Sequence, residues 1–182
     1  RALSSAASDV YKRQVNIVTL HTWPQAYAFQ AVDRDASKAE HGGDRYRRME
    51  IEYICSHTIA TQSDAGQQLW MMMGDFNSRS RLDNRIYNYP DDDTRLLVHD
   101  YIAEHTPYVD VIAEKHPGEF HTTTHGQSRI DFVYCTQPLC ERITRAEVVV
   151  DDFTEPVRDP GKLSNFYHPS DHRPILVDFD MK

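Results

Sequence analysis

Three short stretches of the chain bring apolar runs together with residues that do chemistry: "GDFN" at 74–77, "RIDF" at 129–132 and "SDH" at 170–172. In the first, Leu69 to Met73 run unbroken into Gly74, Asp75 and Asn77. A short, continuously apolar run that stops at a glycine reads as a buried strand. A carboxylate at the end of such a strand costs desolvation free energy unless a cation or a hydrogen-bond donor meets it. A hard divalent metal meets that need. Asp, Asn and water oxygens suit magnesium or manganese, whereas the thiolate and multi-histidine sets that zinc prefers are not laid out in the sequence. The carboxamide of Asn77 adds a donor that a second carboxylate would lack. Downstream, "SRSRLDNR" places Arg79, Arg81 and Arg85 just after this loop, where guanidinium groups can dock a phosphate or remain a solvated cluster.

The elements that position these residues follow from the pattern. "VNIVTLHTWP" reads as a strand over Val15 to Leu20 that ends at His21 and is stopped by Pro24. From Asp44, a plausible N-cap, Tyr46, Met49, Tyr53 and Ile54 recur at helical spacing and predict an amphipathic helix packed on a sheet. Leu69–Met73 is the next strand. The Asp91–Asp93 run reads as a turn and helix cap, because the spaced ligands and glycine of a calcium loop are absent. "RLLVHDYIAEH" predicts a helix, and "PYVDVIAEKH" another, begun by Pro107 and ended by Pro117 and Gly118. "SRIDFVYCT", "RITRAEVVVD" and "RPILVDFD" read as strands. His121 and His125 in "EFHTTTHG" fall between a helix end and a strand and read as loop residues. Strands adjacent in sequence late in the chain argue for a mixed sheet in an α/β sandwich, not a purely parallel one.

A length of 182 residues supports one core, and 40% hydrophobic with 26% charged residues is ordinary for a globular domain. The net charge of −8 argues against broad electrostatic adhesion to nucleic acid, while leaving room for a local basic patch. Cys55, Cys135 and Cys140 form neither a zinc pattern nor an even disulfide set and read as small buried hydrophobes. No apolar run reaches the length of a membrane span. Residues 1–14, "RALSSAASDVYKRQ", are small and polar, meet the strand at Val15 without loop chemistry and resemble translated adapter sequence. They are expected to be a non-native scar that leaves the true N-terminus missing.

"GDFN", "SRIDFVY" and "HPSDHRPILVDF", in this order and at these separations, resemble the last three motifs of the endonuclease/exonuclease/phosphatase superfamily, the deoxyribonuclease (DNase I)-like fold; "VNIVTLHTW" resembles its middle motif. The resemblance runs from about Val15 to the C-terminus. It implies the C-terminal portion of a four-layer α/β/β/α sandwich with mixed sheets, and a metal-dependent phosphoester hydrolase using Mg2+ or Mn2+. His172 would stand over the scissile phosphate as general base or phosphate-binding cation, oriented by Asp131 as in a triad. Asp75 would hold a phosphoryl oxygen, a metal water or the nucleophilic water, and Asn77 would donate to the phosphate. Asp171, with Asp75, would be a metal-side carboxylate, and His21 would complete the phosphate side. The family's first half also supplies an Asn and a Glu that is the principal metal ligand, and neither motif occurs in this sequence. Residues 15–182 are therefore expected to be a truncated domain, inactive alone, from a hydrolase parent with a lean towards an extracytoplasmic setting. The substrate class stays open among nucleic acid, a phospholipid or inositol headgroup and a small phosphate ester. A catalytically dead relative used as a binding module is the alternative; the retained Asp131 and His172 weigh against it.

Overall fold

The computed structural model describes residues 14–124, 127–150 and 170–181. The expected scar, apart from Gln14, and His125 lie outside the described residues. The elements are β1 (Val15–His21), α1 (Arg34–Ala39), α2 (Gly42–His57), β2 (Leu69–Asp75), α3 (Asn84–Tyr87), α4 (Leu97–His105), β3 (Tyr108–Asp110), α5 (Val111–Lys115), β4 (Asp131–Thr136), α6 (Gln137–Cys140), β5 (Ile143–Val148) and β6 (Ile175–Phe179).

Four strands form one sheet in the order β1-β2-β4-β3, and β5 and β6 form a second. The pairing is mixed, as the strand order in the sequence predicts: β1 runs parallel to β2, while β4 is antiparallel to both β2 and β3. The unbroken apolar run of β2 now has its reason, because both faces of the strand are covered. Trp70 and Met72 join a core with Ile51 and Cys55 of α2 and Val98 and Ile102 of α4. Leu69 and Met71 face the other way, into a core with Val133, Cys135, Ile143, Ala146 and Val148, against which Ile175 and Val177 pack. The described residues thus supply a helical layer, the main sheet and a second sheet, an α/β order consistent with the sandwich expected from the motifs. No helix among the described residues is long and apolar enough to cross a membrane.

Two local expectations need correction. The second helix starts at Gly42 with His41, not Asp44, at its N-cap, and its buried residues are Gly43, Arg47, Ile51 and Cys55. Met49 and Tyr53 point outward, 63% and 64% exposed. Arg47 can occupy the inner face because both its terminal nitrogens find partners there: Nη1 donates to the carbonyls of Trp23 and Gln25, and Nη2 pairs with Asp44. The segment read as a single helix from Pro107 instead splits. Tyr108–Asp110 forms an edge strand on Thr136–Tyr134, and α5 begins only at Val111. Asp110 makes the break by accepting the Ala113 N–H at 3.2 Å as the N-cap. By contrast, Asp93 does cap the turn before α4, accepting the Arg95 N–H at 2.9 Å.

Candidate active site

Register alone builds half the site. His21 pairs with Asp75 across the parallel strands, and Asp75 pairs with Asp131 across the antiparallel ones, so three chemical residues form one row at the sheet's end. Gly74 makes the row possible. Its φ of +144° is one that side chains rarely adopt, and a Cβ there would sit 1.8 Å from the Leu20 carbonyl oxygen. The chain then turns on Asn77, whose φ of 47° is a left-handed conformation that asparagine tolerates. Asp75 Oδ1 accepts the Asn77 N–H at 2.8 Å, and the Asn77 carboxamide donates to the Thr22 carbonyl at 3.2 Å. His21 Nε2 lies 3.6 Å from Asp75 Oδ2, with its side chain 65% exposed.

His172 enters from outside the sheet. Its Nδ1 lies 3.0 and 2.9 Å from the two Asp131 carboxylate oxygens. A carboxylate only accepts, so Nδ1 carries the proton and Nε2 presents a lone pair. One ligand atom from each of Asp75, Asp131 and His172 falls within 4.8 Å of the others. Burial by itself would depress the His172 pKa, but the hydrogen bond and charge of Asp131, with the charges of Asp75 and Asp171, raise it above the ordinary imidazole value. The Asp131 pKa is also raised: burial and the nearby Asp75 outweigh the hydrogen bonds from Thr123 and His172. Both shifts favour keeping a proton within the dyad.

Thr123 and its neighbours, which carry no sequence signal, hold this dyad. The fully buried Thr123 hydroxyl accepts the N–H groups of Ile130 and Asp131 at 3.0 and 3.1 Å. The Thr123 carbonyl accepts the Arg173 N–H at 2.7 Å, and Thr124 bridges to His172 in antiparallel fashion. Arg129 was legible only as the first letter of its motif; its side chain is 3% exposed and pairs with both Asp83 and Asp110.

The remaining expected residues lie around this centre. Asp171 is exposed and contributes its charge to His172 without entering the cluster of ligand atoms. Arg79 lines a cavity of about 260 Å³ with Asn77, Lys38, His41 and Arg95. Arg81 does not reach that cavity, because Asp100 holds its guanidinium at 2.9 and 2.8 Å. A second cavity, of about 250 Å³, opens on Asp75 and Asp131 beside Arg173.

A mixed sheet backed by a second sheet and flanked by helices is consistent with the DNase I-like α/β fold. Solved structures bear this out. The chain is similar to an AP endonuclease from Archaeoglobus fulgidus at 19% identity and a TM-score of 0.59, covering 90% of this chain and 61% of that one. It is similar to the 3'-5' exonuclease NExo from Neisseria meningitidis at 16% identity and a TM-score of 0.57, covering 91% and 61%. A Neisseria 3' phosphatase structure bound to a product DNA hairpin aligns at 15% identity and a TM-score of 0.56, again covering 91% and 61%. The chain thus spans about three fifths of the length of these structures. No family sequence profile and no curated protein sequence matches it.

Proposed function

We propose that the chain carries the proton-transfer half of a metal-assisted phosphoester hydrolase acting on DNA ends or phosphodiesters. The observation that carries this reading is the His172–Asp131 dyad set beside Asp75 on this fold. The three structures it resembles act on, or are named for, DNA phosphoester chemistry, which supports nucleic acid over lipid or small-ester substrates. His172 Nε2 takes a proton from the attacking water, and Asp131 stabilises the imidazolium that results. Asn77 keeps one amide hydrogen for a phosphoryl oxygen, and Arg79 docks the neighbouring phosphate.

The donor set fits a hard divalent ion held lightly. Both Asp131 oxygens are committed to His172 and one Asp75 oxygen to Asn77, so Asp75 Oδ2, whose neighbour is His21 Nε2 at 3.6 Å, is the carboxylate oxygen of the cluster left without a hydrogen bond. Magnesium and manganese suit such a place, with water and substrate oxygens completing the shell and Asp171 close enough to add charge. The ion, when bound, neutralises charge that develops on the phosphoryl group. That same scarcity of free carboxylates favours a second reading, a phosphate-binding module without turnover.

The deciding experiment measures cleavage and binding of a 3'-phosphorylated and an abasic-site DNA hairpin with Mg2+, with Mn2+ and with chelator. His172→Ala should lower turnover by at least about a hundredfold while binding changes far less. Wild-type-like turnover in His172→Ala, or full activity in chelator, refutes the hydrolase reading. Binding without any turnover selects the second one.

A further inference from the structure

We infer that His116, Glu119 and His121 form a second metal site, one for a borderline transition ion such as zinc, separate from the dyad and independent of the hydrolase reading. One ligand atom from each of the three lies within 4.8 Å of the other two. In sequence, His121 falls in a loop between a helix end and a strand, and His116 lies on the other side of Pro117 and Gly118. The fold brings the two rings to 4.9 Å between centroids.

The tautomers suit a metal. His116 Nε2 lies 2.7 Å from the Ala146 carbonyl oxygen on β5. That oxygen only accepts, so the proton is on Nε2 and the lone pair is on Nδ1, the arrangement that backbone carbonyls impose on metal-binding histidines. His121 Nε2 is buried without a hydrogen-bond partner, yet it lies 3.2 Å from Glu119 Oε2. The pair makes no hydrogen bond in this geometry, so positive charge on or beside Nε2, from a proton or a metal ion, is what holds these two atoms at that distance. Ligand atoms on a tetrahedral zinc ion sit about 3.3 Å apart, given zinc–nitrogen and zinc–oxygen bonds of about 2.0–2.2 Å. The observed His121–Glu119 spacing matches that of two zinc ligands, and His116 would supply the third. Two imidazoles exclude a preference for magnesium.

The ion would fasten the end of α5 and strand β5 to the segment that begins at His121. Thr123 and Thr124, two and three residues on, are the ones that hold Asp131, Arg173 and His172. The site is thus structural, bracing the support of the dyad.

The test uses the 182-residue chain, stripped with chelator, titrated with Zn2+ by calorimetry and with Co2+ by visible absorption. One equivalent should bind to the wild type and to His172→Ala with tetrahedral cobalt absorption, undisturbed by excess Mg2+. Binding should weaken at least tenfold in Glu119→Gln and a hundredfold in His121→Ala, and zinc should raise the melting temperature of the wild type and His172→Ala but not of His121→Ala. Glu119 has a side chain 64% exposed, so Glu119→Gln keeps the fold and the comparison remains clean. Unchanged zinc affinity in Glu119→Gln and His121→Ala, or no zinc equivalent in the wild type, overturns the site.

Discussion

Arg129→Met should destabilise the domain more than any substitution in the dyad. The guanidinium Nε donates to Asp83 Oδ2 at 2.8 Å, Nη1 donates to Asp110 Oδ1 at 3.1 Å, and Nη2 lies 2.8 Å from Asp110 Oδ2. All three side chains are nearly sealed, at 3% exposure for Arg129, 6% for Asp83 and 3% for Asp110. Methionine fills the volume but leaves two carboxylates buried without a cation. Breaking a buried pair in this way costs about 3–5 kcal/mol, against a typical domain stability of about 5–15 kcal/mol. Asp83, whose pKa burial already raises while Arg129 pulls it down, loses that restraint in the variant. Its carboxylate then takes up a proton more readily, so the deficit shrinks as the pH falls. Arg129→Lys should fall between, because a point charge on a flexible stem cannot span both aspartates as the fork does. Urea unfolding at neutral pH, followed by circular dichroism, measures the loss. Adding Asp83→Asn and Asp110→Asn to Arg129→Met should restore part of the stability, since the uncompensated charges are gone. A single variant within about 1 kcal/mol of wild type, or a triple variant no better than the single, refutes the argument.

Asp131→Asn should lower the His172 pKa, visible in the pH titration of its ring protons by NMR; an unchanged titration would mean that Asp131 does not hold the proton. His99 is fully buried, which, with the charge of Arg129, pushes its pKa down to about 3. Because its folded pKa lies below its unfolded value, stability is fully present above about pH 6.5 and is lost as pH falls, by about 5 kcal/mol from this group near pH 3. His99→Gln should flatten that slope in denaturation curves taken across this range. Asp75→Asn should stabilise the chain in chelator by about 0.2–1 kcal/mol by removing a like charge opposite Asp131, while Mn2+ binding at the dyad weakens.

What was legible in the sequence was whatever a local pattern encodes. Val15–His21 and Leu69–Met73 read as strands because β-branched or unbroken apolar residues leave no helical alternative, and Gly74 announced its turn. The Asp75, Asp131 and His172 motifs were legible as ordered short words, but their meeting in space depends on register, which no word contains. The misread pieces share a cause. Met49 and Tyr53 were assigned to the packed face because polarity was taken as exposure, whereas Arg47 finds carbonyls and Asp44 inside. Tyr108–Asp110 was absorbed into a helix because three residues are too few for an alternation to show, and only pairing with β4 makes them a strand. Thr123 was invisible for a different reason: a threonine in a polar loop has no pattern, and its role comes from a strand edge that lies seven and eight residues away in sequence.

The site's geometry also explains why these side chains favour positive charge beside them. Asp75 and Asp131 stand directly opposite on antiparallel strands, an arrangement that by itself opposes folding. The sheet cannot relax it, because a one-residue slip would turn every buried side chain of β2 and β4 to the wrong face. Register is fixed by the core, so the repulsion must be met locally: His172 bonds Asp131 through Nδ1, and His21 Nε2 lies 3.6 Å from Asp75 Oδ2. The hydrogen bond and charge of Asp131, with the charges of Asp75 and Asp171, raise the His172 pKa, so the carboxylates that repel across the sheet favour positive charge at the row. Repulsion that the apolar core imposes on two carboxylates thereby becomes a preference for positive charge at the end of the sheet, which is what the proposed hydrolase reading requires.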